Sequence, residues 1–270
     1  MNKIEVAVLH EAHECPAGMM MFLAKLTQRG HSVKNMDDLY KLYNSSMDNH
    51  EPARAVAALP HGTIKRFAPI TIAIVGASRR FLAQARTHQV GVTYVSGSLQ
   101  YSDYSDTEFF TTAPWPELQD RFVVPYPLLD NQEAMTYYLT GCARDMIEYH
   151  ELINKFGVDN DTAGYKAPQG MRNVLIMQAN HEAWMNFIRA RGCNRNTVET
   201  QYVTMLIWEA LLNTADGEEL FYYAGPDCAW GACREGKMSC GKPLGLLVDK
   251  AKALGKPVPR VMIEERWPLL

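Results

Sequence analysis

Apolar positions change their spacing along this chain, and the changes mark its elements. Residues 4–9 alternate weakly between apolar and polar side chains, as a strand at a sheet edge does. Residues 16–30 carry Met and Leu at helical spacing, with Pro16 at the start and Gly30 at the end, and read as a helix. Shorter helical patterns cover 36–43 and 52–59. Residues 67–75 are rich in Ile, Thr and Val and read as a strand. Ser78 is placed to cap a helix that extends to about Gln89, because its hydroxyl oxygen accepts a bond from an otherwise orphaned amide. Residues 90–105 mix Gly, Ser and Tyr and read as a loop, and a polar loop between strong elements is a natural ligand surface. The longest helical pattern runs over 131–156. A short, buried-looking strand follows at 173–178, then helices at 180–191 and 197–213. After Gly241, Pro243, Pro257, Pro259 and Pro268 predict a partly irregular tail.

Strands and long helices that mix without a regular βαβ alternation predict the α+β class. No internal repeat, low-complexity run or linker divides the chain. Residues 1–270 are therefore expected to form a single domain, with a Cys-containing, partly irregular tail from about residue 225.

Composition narrows the function classes. Of 270 residues, 47% are apolar and 21% charged, which suits a globular protein with a sizeable core. A net charge of −3 gives no electrostatic footprint for a polynucleotide. No apolar run approaches the ~18 residues that would span a bilayer. The opening MNKIEVAVLHEAHE carries acids and histidines where a secretion signal needs a cationic and then apolar start, so a cytoplasmic location is expected. Six cysteines are too few for a disulfide scaffold. Cys228, Cys233 and Cys240 lack the tight C-x-x-C of structural zinc, and His10, His13 and Cys15 in HEAHEC form only a loose donor set, so no metal is expected.

Candidate chemistry lies in three segments. Residues 61–101 read HGTIKRFAPITIAIVGASRRFLAQARTHQVGVTYVSGSLQY and contain His61, the Ser78–Arg79 pair, Gln84, His88, Ser98 and Tyr101. Residues 164–201 follow Ala163 and contain Pro168, Asn180, Asn186, Phe187, Arg191 and Glu199. Residues 225–242 read GPDCAWGACREGKMSCGK. In order and spacing, these segments resemble the flavin-dependent thymidylate synthase family. That family's pattern has a strand, an S-R turn, a helix ending R-H-R and a loop ending S-x-R-Y. An A-R-x-x-L-P segment, N-x-R-x-L-x-N-F-x-x-x-R and, in many members, a Cys-containing tail come later.

The resemblance implies the family's sheet-and-helix fold, assembled as a homotetramer with active sites between subunits. It implies a methyltransferase of nucleotide biosynthesis that passes a one-carbon unit from methylene-tetrahydrofolate to carbon 5 of a pyrimidine nucleotide such as dUMP, with FAD as cofactor and NADPH as reductant. Arg191 and Ser98 fall on residues that polarise or hold the nucleotide, and Gln84 and Gln100 fall beside them as substrate contacts. His61, Thr87, His88, Gln89, Asn180 and Asn186 fall on the cofactor side. By residue chemistry alone, Asn180 equally reads as a helix N-cap and Ser98 as a turn serine.

Several of the family's charges are replaced. Thr87, Gln89, Gln100, Gly164 and Glu182 stand where arginines are expected, and Arg66-Phe67 where the family has Glu-His. Each lost guanidinium removes a charge-assisted bond of ~1.5–3 kcal/mol in a desolvated site. The replacements favour an altered substrate or a hydroxymethylating reaction as one alternative, and a non-catalytic nucleotide-binding paralogue as another.

Overall fold

The computed structural model describes residues 4–11 and 13–270. Four strands form one antiparallel sheet in the order β1-β2-β4-β3, where β1 is Glu5–Glu11, β2 Ile70–Ser78, β3 Val92–Ser96 and β4 Arg172–Ala179. The period-2 rule sets its faces. Ile72 pairs with Met177 and Ile74 with Leu175, and all four are fully buried. Val75, Val95 and Val174 face the other way and are exposed. The β2–β4 register shifts between Val75 and Ala77, at Gly76, whose φ of 82° suits glycine. The bulge returns Ala77 and Ser78 to the buried side and aims Ser78 at the next helix.

Three helices follow β1: α1 (Pro16–Arg29), α2 (Met36–Met47) and α3 (Ala53–Ala58). Then α4 (Arg79–Ala85) leaves β2 with Ser78 as N-cap, its hydroxyl oxygen accepting from the Phe81 amide. After β3 come α5 (Thr107–Thr112), α6 (Gln132–Asn154) and α7 (Asn160–Ala163). Beyond β4 lie α8 (His181–Arg191), α9 (Val198–Leu212), α10 (Gly217–Leu220), α11 (Asp227–Trp230), α12 (Gly245–Leu254) and α13 (Val258–Arg266). The architecture is a small antiparallel sheet with many helices, as the α+β expectation has it.

The interior forms two apolar clusters. One joins the buried sheet face to α1, α8, α9 and the last two helices around Trp184, Phe187 and Trp208. The other packs α6 against Phe110, Phe122 and Met171. Truncating a buried aromatic such as Trp208 to alanine would cost ~3–5 kcal/mol.

Three segments differ from the sequence reading. The loop expected over 90–105 contains β3, whose alternating Val92 and Tyr94 were masked by the Gly and Ser around them. The helix expected to reach Gln89 ends at Ala85. The Tyr94 hydroxyl lies 2.8 Å from the Ala85 carbonyl and 2.6 Å from that of His88, so β3 captures the carbonyls that a longer helix would have used. Burial pushes that phenol up to about 12, which keeps it a donor. The tail is irregular only to Leu244, because Pro257 and Pro259 occupy the N-cap and first turn of α13, where no intrahelical donor is lost.

Candidate active site

The end of β3 and the outer face of α4 enclose a cavity of about 420 Å3. Ser98 and Gln100 line it, as do Arg79 and Arg86. The Ser98 hydroxyl oxygen accepts from the Gln100 amide at 3.1 Å, which makes Ser98 a turn residue with its own proton still to donate. Asn173 fixes the loop base by donating to the Gly97 carbonyl at 3.1 Å. Arg86 donates to the Ser96 hydroxyl at 2.5 Å. The buried Arg79 Nε has no protein partner, and desolvation lowers the pKa of its guanidinium. An unpaired buried donor on a cation is expensive unless an anion completes it. Arg79, Arg86 and Ser98 place donors on the cavity wall, with Asp161 as the acid among the lining residues.

Arg191, in the last turn of α8, gathers a second group. Its Nε donates to His88 Nε2 at 2.9 Å, Nη1 donates to Asn196 Oδ1 at 2.9 Å, and Nη2 donates to Thr87 Oγ1. His88 also packs edge-on against Phe187, with ring centroids 5.1 Å apart. Accepting from Arg191 requires a neutral imidazole protonated at Nδ1. Burial and then the Arg191 charge hold the His88 pKa below 6.5, in agreement with that tautomer. Gln84 Oε1 accepts from the Thr200 hydroxyl at 2.8 Å and ties α4 to α9. Neither Gln84 nor Arg191 lines the Ser98 cavity, and Gln89 is exposed beside the cluster.

Asn186 lines a separate cleft of about 760 Å3 with Lys65, Glu182, Arg189, Tyr223 and Trp230. Asn180 serves as N-cap of α8, its Oδ1 accepting from the Ala183 amide at 3.0 Å. His61 is exposed. Its neighbour Gly62 lies against Glu182, whose Oε2 accepts from Arg66 Nε at 2.7 Å. The two charge replacements at 66 and 182 therefore form one exchanged pair. The expected cofactor residues are split, with Thr87 and His88 on Arg191, Asn186 on this cleft and Asn180 inside a helix cap.

Two features escaped the sequence reading. A third, Arg86, stands in the sequence with Arg79, Arg80 and Lys166 as a nearby cation that could compensate for the lost arginines, about 100° around the helix from Thr87. Arg86 reaches the Ser98 cavity. It lies seven residues after Arg79, a spacing that returns to within about 20° of the same helix face, and that was the available signal. Leu99 fills the space beside Gly164, where a Cβ would stand 3.2 Å from Leu99 Cβ. Glu199 accepts from the Ser78 amide and hydroxyl at 2.7 and 2.6 Å, and burial raises its pKa. That pair lines a cleft of about 1190 Å3 with Arg80, Tyr126, Tyr137 and Tyr138. In the HEAHEC segment, Cys15 joins His50 and Asp216 rather than His10. Lys166 is paired with Asp145 and Glu148 and contributes no free charge to these sites.

Residues 9–215 match the family described as thymidylate synthase complementing protein. The flavin-dependent thymidylate synthase of Thermococcus onnurineus (strain NA1) is 26% identical over 204 residues, covering 73% of this chain and 77% of that protein. A structure of thymidylate synthase X from Helicobacter pylori with FAD and dUMP superposes with a TM-score of 0.62 at 16% identity, covering 81% of this chain and 97% of that one. A UMP/dUMP methylase from Streptomyces cacaoi bound with 5-Br dUMP superposes with a TM-score of 0.60 at 13% identity, covering 83% and 96%.

Proposed function

The chain belongs to the thymidylate synthase complementing protein family, and from that premise we propose that it is a flavin-dependent enzyme that transfers a one-carbon unit to carbon 5 of a pyrimidine nucleotide. The observation that carries this reading is the cationic cavity at Ser98, with Arg79 Nε buried and unpartnered. A nucleotide phosphate would accept from the guanidinium groups of Arg79 and Arg86 that line this cavity. Ser98 donates its hydroxyl proton to the same anion, and Arg86 lies one bond away through Ser96.

The cleft at Asn186 fits a dinucleotide by its chemistry. Arg189 and Arg234 offer cations for a diphosphate, the latter beside Asp227, while Lys65 is held by the Ala57 and Leu59 carbonyls and Glu182 also lines the cleft. Tyr223 and Trp230 offer faces for an aromatic ring. FAD, reduced by NADPH, would supply hydride there, and methylene-tetrahydrofolate the one-carbon unit. Asn186 would donate and accept at the ring edge. Arg191, held by His88, Thr87 and Asn196, would present a fixed positive wall to the pyrimidine of a neighbouring subunit.

A homotetramer is the expected assembly. The open sheet face bearing Val75, Val95 and Val174 and the tyrosine-lined cleft on α6 are apolar surfaces that a second copy would cover. Among the described residues, no helix is long and apolar enough to cross a membrane, and a cytoplasmic location is part of this proposal.

A second reading, a pyrimidine nucleotide other than dUMP, is favoured by Gln100 in the phosphate loop and by Leu99 packed on Gly164. Incubation with FAD, NADPH, methylene-tetrahydrofolate and either dUMP or UMP tests both readings. Mass spectrometry should find a methylated product from one of them. Flavin-loaded protein that yields no C5-substituted product from any pyrimidine nucleotide would overturn the enzymatic reading.

A further inference from the structure

Four of the six cysteines come from two distant segments that are bonded to each other. Cys193 lies in the turn after α8, whereas Cys228, Cys233 and Cys240 lie in the tail. The Cys228 thiol is within electrostatic reach of Cys233, Cys193 and Cys240 together. None of the four is paired in a disulfide. The two segments are laced to each other around the sulfurs. Asn194 Nδ2 donates to Cys240 Sγ at 3.5 Å and to the Lys242 carbonyl at 3.4 Å. Arg195 Nε donates to the Met238 carbonyl at 2.6 Å. Arg266, from the end of α13, donates to Asn194 Oδ1. The Arg266 guanidinium is partly buried, and desolvation lowers its pKa against the opposing influence of Cys228, Cys240 and Cys193.

A partly desolvated guanidinium near thiols gains a charge partner only if those thiols become anions. Metal coordination deprotonates thiols outright, and a four-thiolate centre would carry the negative charge that Arg266 lacks. The spacing of the sulfurs selects among centres. Among the described residues, the one group of three or more His, Cys, Asp or Glu donors within 4.8 Å of one another is Cys15, His50 and Asp216. No three of these four sulfurs therefore lie within 4.8 Å of one another. A single zinc, with Zn–S of about 2.3 Å, would draw its sulfurs to about 3.8 Å from each other. A cubane cluster alternates four irons with four sulfides at its corners, and with one thiolate on each iron it keeps its thiolates further apart.

We propose that Cys193, Cys228, Cys233 and Cys240 ligate an iron–sulfur cluster of the [4Fe–4S] type. The cluster would pin the tail to the turn that carries Asn196, whose side chain accepts from Arg191 and donates to the Cys193 carbonyl at 3.0 Å. It would thereby brace Arg191 from behind. The proposal is independent of which nucleotide the enzyme methylates, and its readout is metal content rather than activity or flavin colour.

The test is anaerobic reconstitution of the full chain with ferrous iron and sulfide, followed by desalting and analysis of iron, zinc and acid-labile sulfide. Wild-type protein should hold about four irons and four sulfides per chain. A Cys233→Ser/Cys240→Ser variant should hold less than a tenth of that. A Cys142→Ser variant, altered in the buried α6 cluster, should keep the full load. Far-UV circular dichroism checks that the variants fold, and the wild-type stoichiometry decides the matter if they do not. One zinc without sulfide, two disulfides among the four thiols, or iron bound equally by the double-serine variant would each overturn the cluster.

Discussion

Arg191 and Arg79 stand at opposite ends of their helices and treat their charges in opposite ways. Arg191 closes α8 and uses all three guanidinium nitrogens on His88, Asn196 and Thr87. Arg79 opens α4 and leaves a buried Nε without a partner, in a cavity it shares with Arg86 and Ser98. A satisfied cation is a fixed wall, since moving it breaks three bonds at once. An unsatisfied one invites a ligand, because an anion removes a desolvation cost that the empty cavity carries. On the proposed function, the Ser98 cavity would supply nucleotide affinity, and the Arg191 group would supply shape and orientation.

The strongest break of this comparison is the Arg79→Ala/Arg86→Ala double variant. Two charge-assisted contacts of ~1.5–3 kcal/mol each should vanish, lowering nucleotide affinity by about a hundredfold or more. Titration calorimetry, with the nucleotide-induced rise in melting temperature as a check, measures it. Affinity within a few fold of wild type would move the phosphate site elsewhere.

Arg191→Ala should act on the fold as well as on the ligand. It strands His88 and Asn196 and costs ~2–3 kcal/mol, a fall of several degrees in melting temperature for a chain of this size. Nucleotide affinity should drop with it, through the displaced wall. A variant that loses binding while melting at the wild-type temperature would show that Arg191 is free for ligand, and the contrast with Arg79 would collapse.

Why one of these regions was easier to read than the other follows from where its information lies. Ser78 as an N-cap, α6 behind Asn131 and the β2 strand depend on neighbours along the chain, and local pattern carries them. The Arg66–Glu182 pair spans 116 positions, so each member looked like a lost charge until the fold joined them. β3 is five residues whose pairing is supplied by β4, with little intrinsic signal between glycines. His88, Thr87 and Arg191 were named from the family pattern, but their mutual bonding was not, because hydrogen-bond partners are a property of the third dimension. Gly164 read as a lost guanidinium, and only packing reveals that Leu99 occupies the space beside it.

That last point sharpens the comparison from outside the two arginines. If the pocket had lost a guanidinium at 164 and kept the room, Gly164→Arg would improve nucleotide binding. With a Cβ at 3.2 Å from Leu99 Cβ, the variant must instead displace Leu99, at a cost of ~1–3 kcal/mol. The expected result is a lower melting temperature and no gain in dUMP affinity. A gain in affinity without loss of stability would restore the simpler picture of a missing family arginine.

Acid separates the regions more gently. Guanidinium groups stay protonated throughout, but His88 titrates. Its folded pKa lies below the ordinary 6.5, so the fold holds the neutral ring. The unfolded chain then binds the proton first, and the contribution of His88 to stability is present above 6.5 and lost as pH falls through and below it. His181, buried and pushed down to about 4, loses stability in the same window. The wild-type curve must therefore be compared with His88→Asn. The variant should show a shallower decline in melting temperature between pH 7 and pH 5, whereas Arg79→Ala should leave that slope unchanged. Equal slopes for wild type and His88→Asn would remove the bond from His88 to Arg191.

The smallest effect should come from Ser98→Ala. The hydroxyl oxygen already accepts from the Gln100 amide, and Gln100 is exposed, so water replaces that bond at little cost to the fold. Toward a bound anion, Ser98 offers one neutral donor beside two guanidinium groups. A neutral hydrogen bond contributes ~0.5–1.5 kcal/mol, roughly a two- to tenfold loss of affinity, whereas each arginine contributes about twice that. The ranking, rather than either value alone, is the informative quantity. If Ser98→Ala weakens nucleotide binding more than Arg79→Ala does, the anion is held by the loop and its amides. The unpartnered Arg79 Nε would then be a cost of folding that no nucleotide relieves.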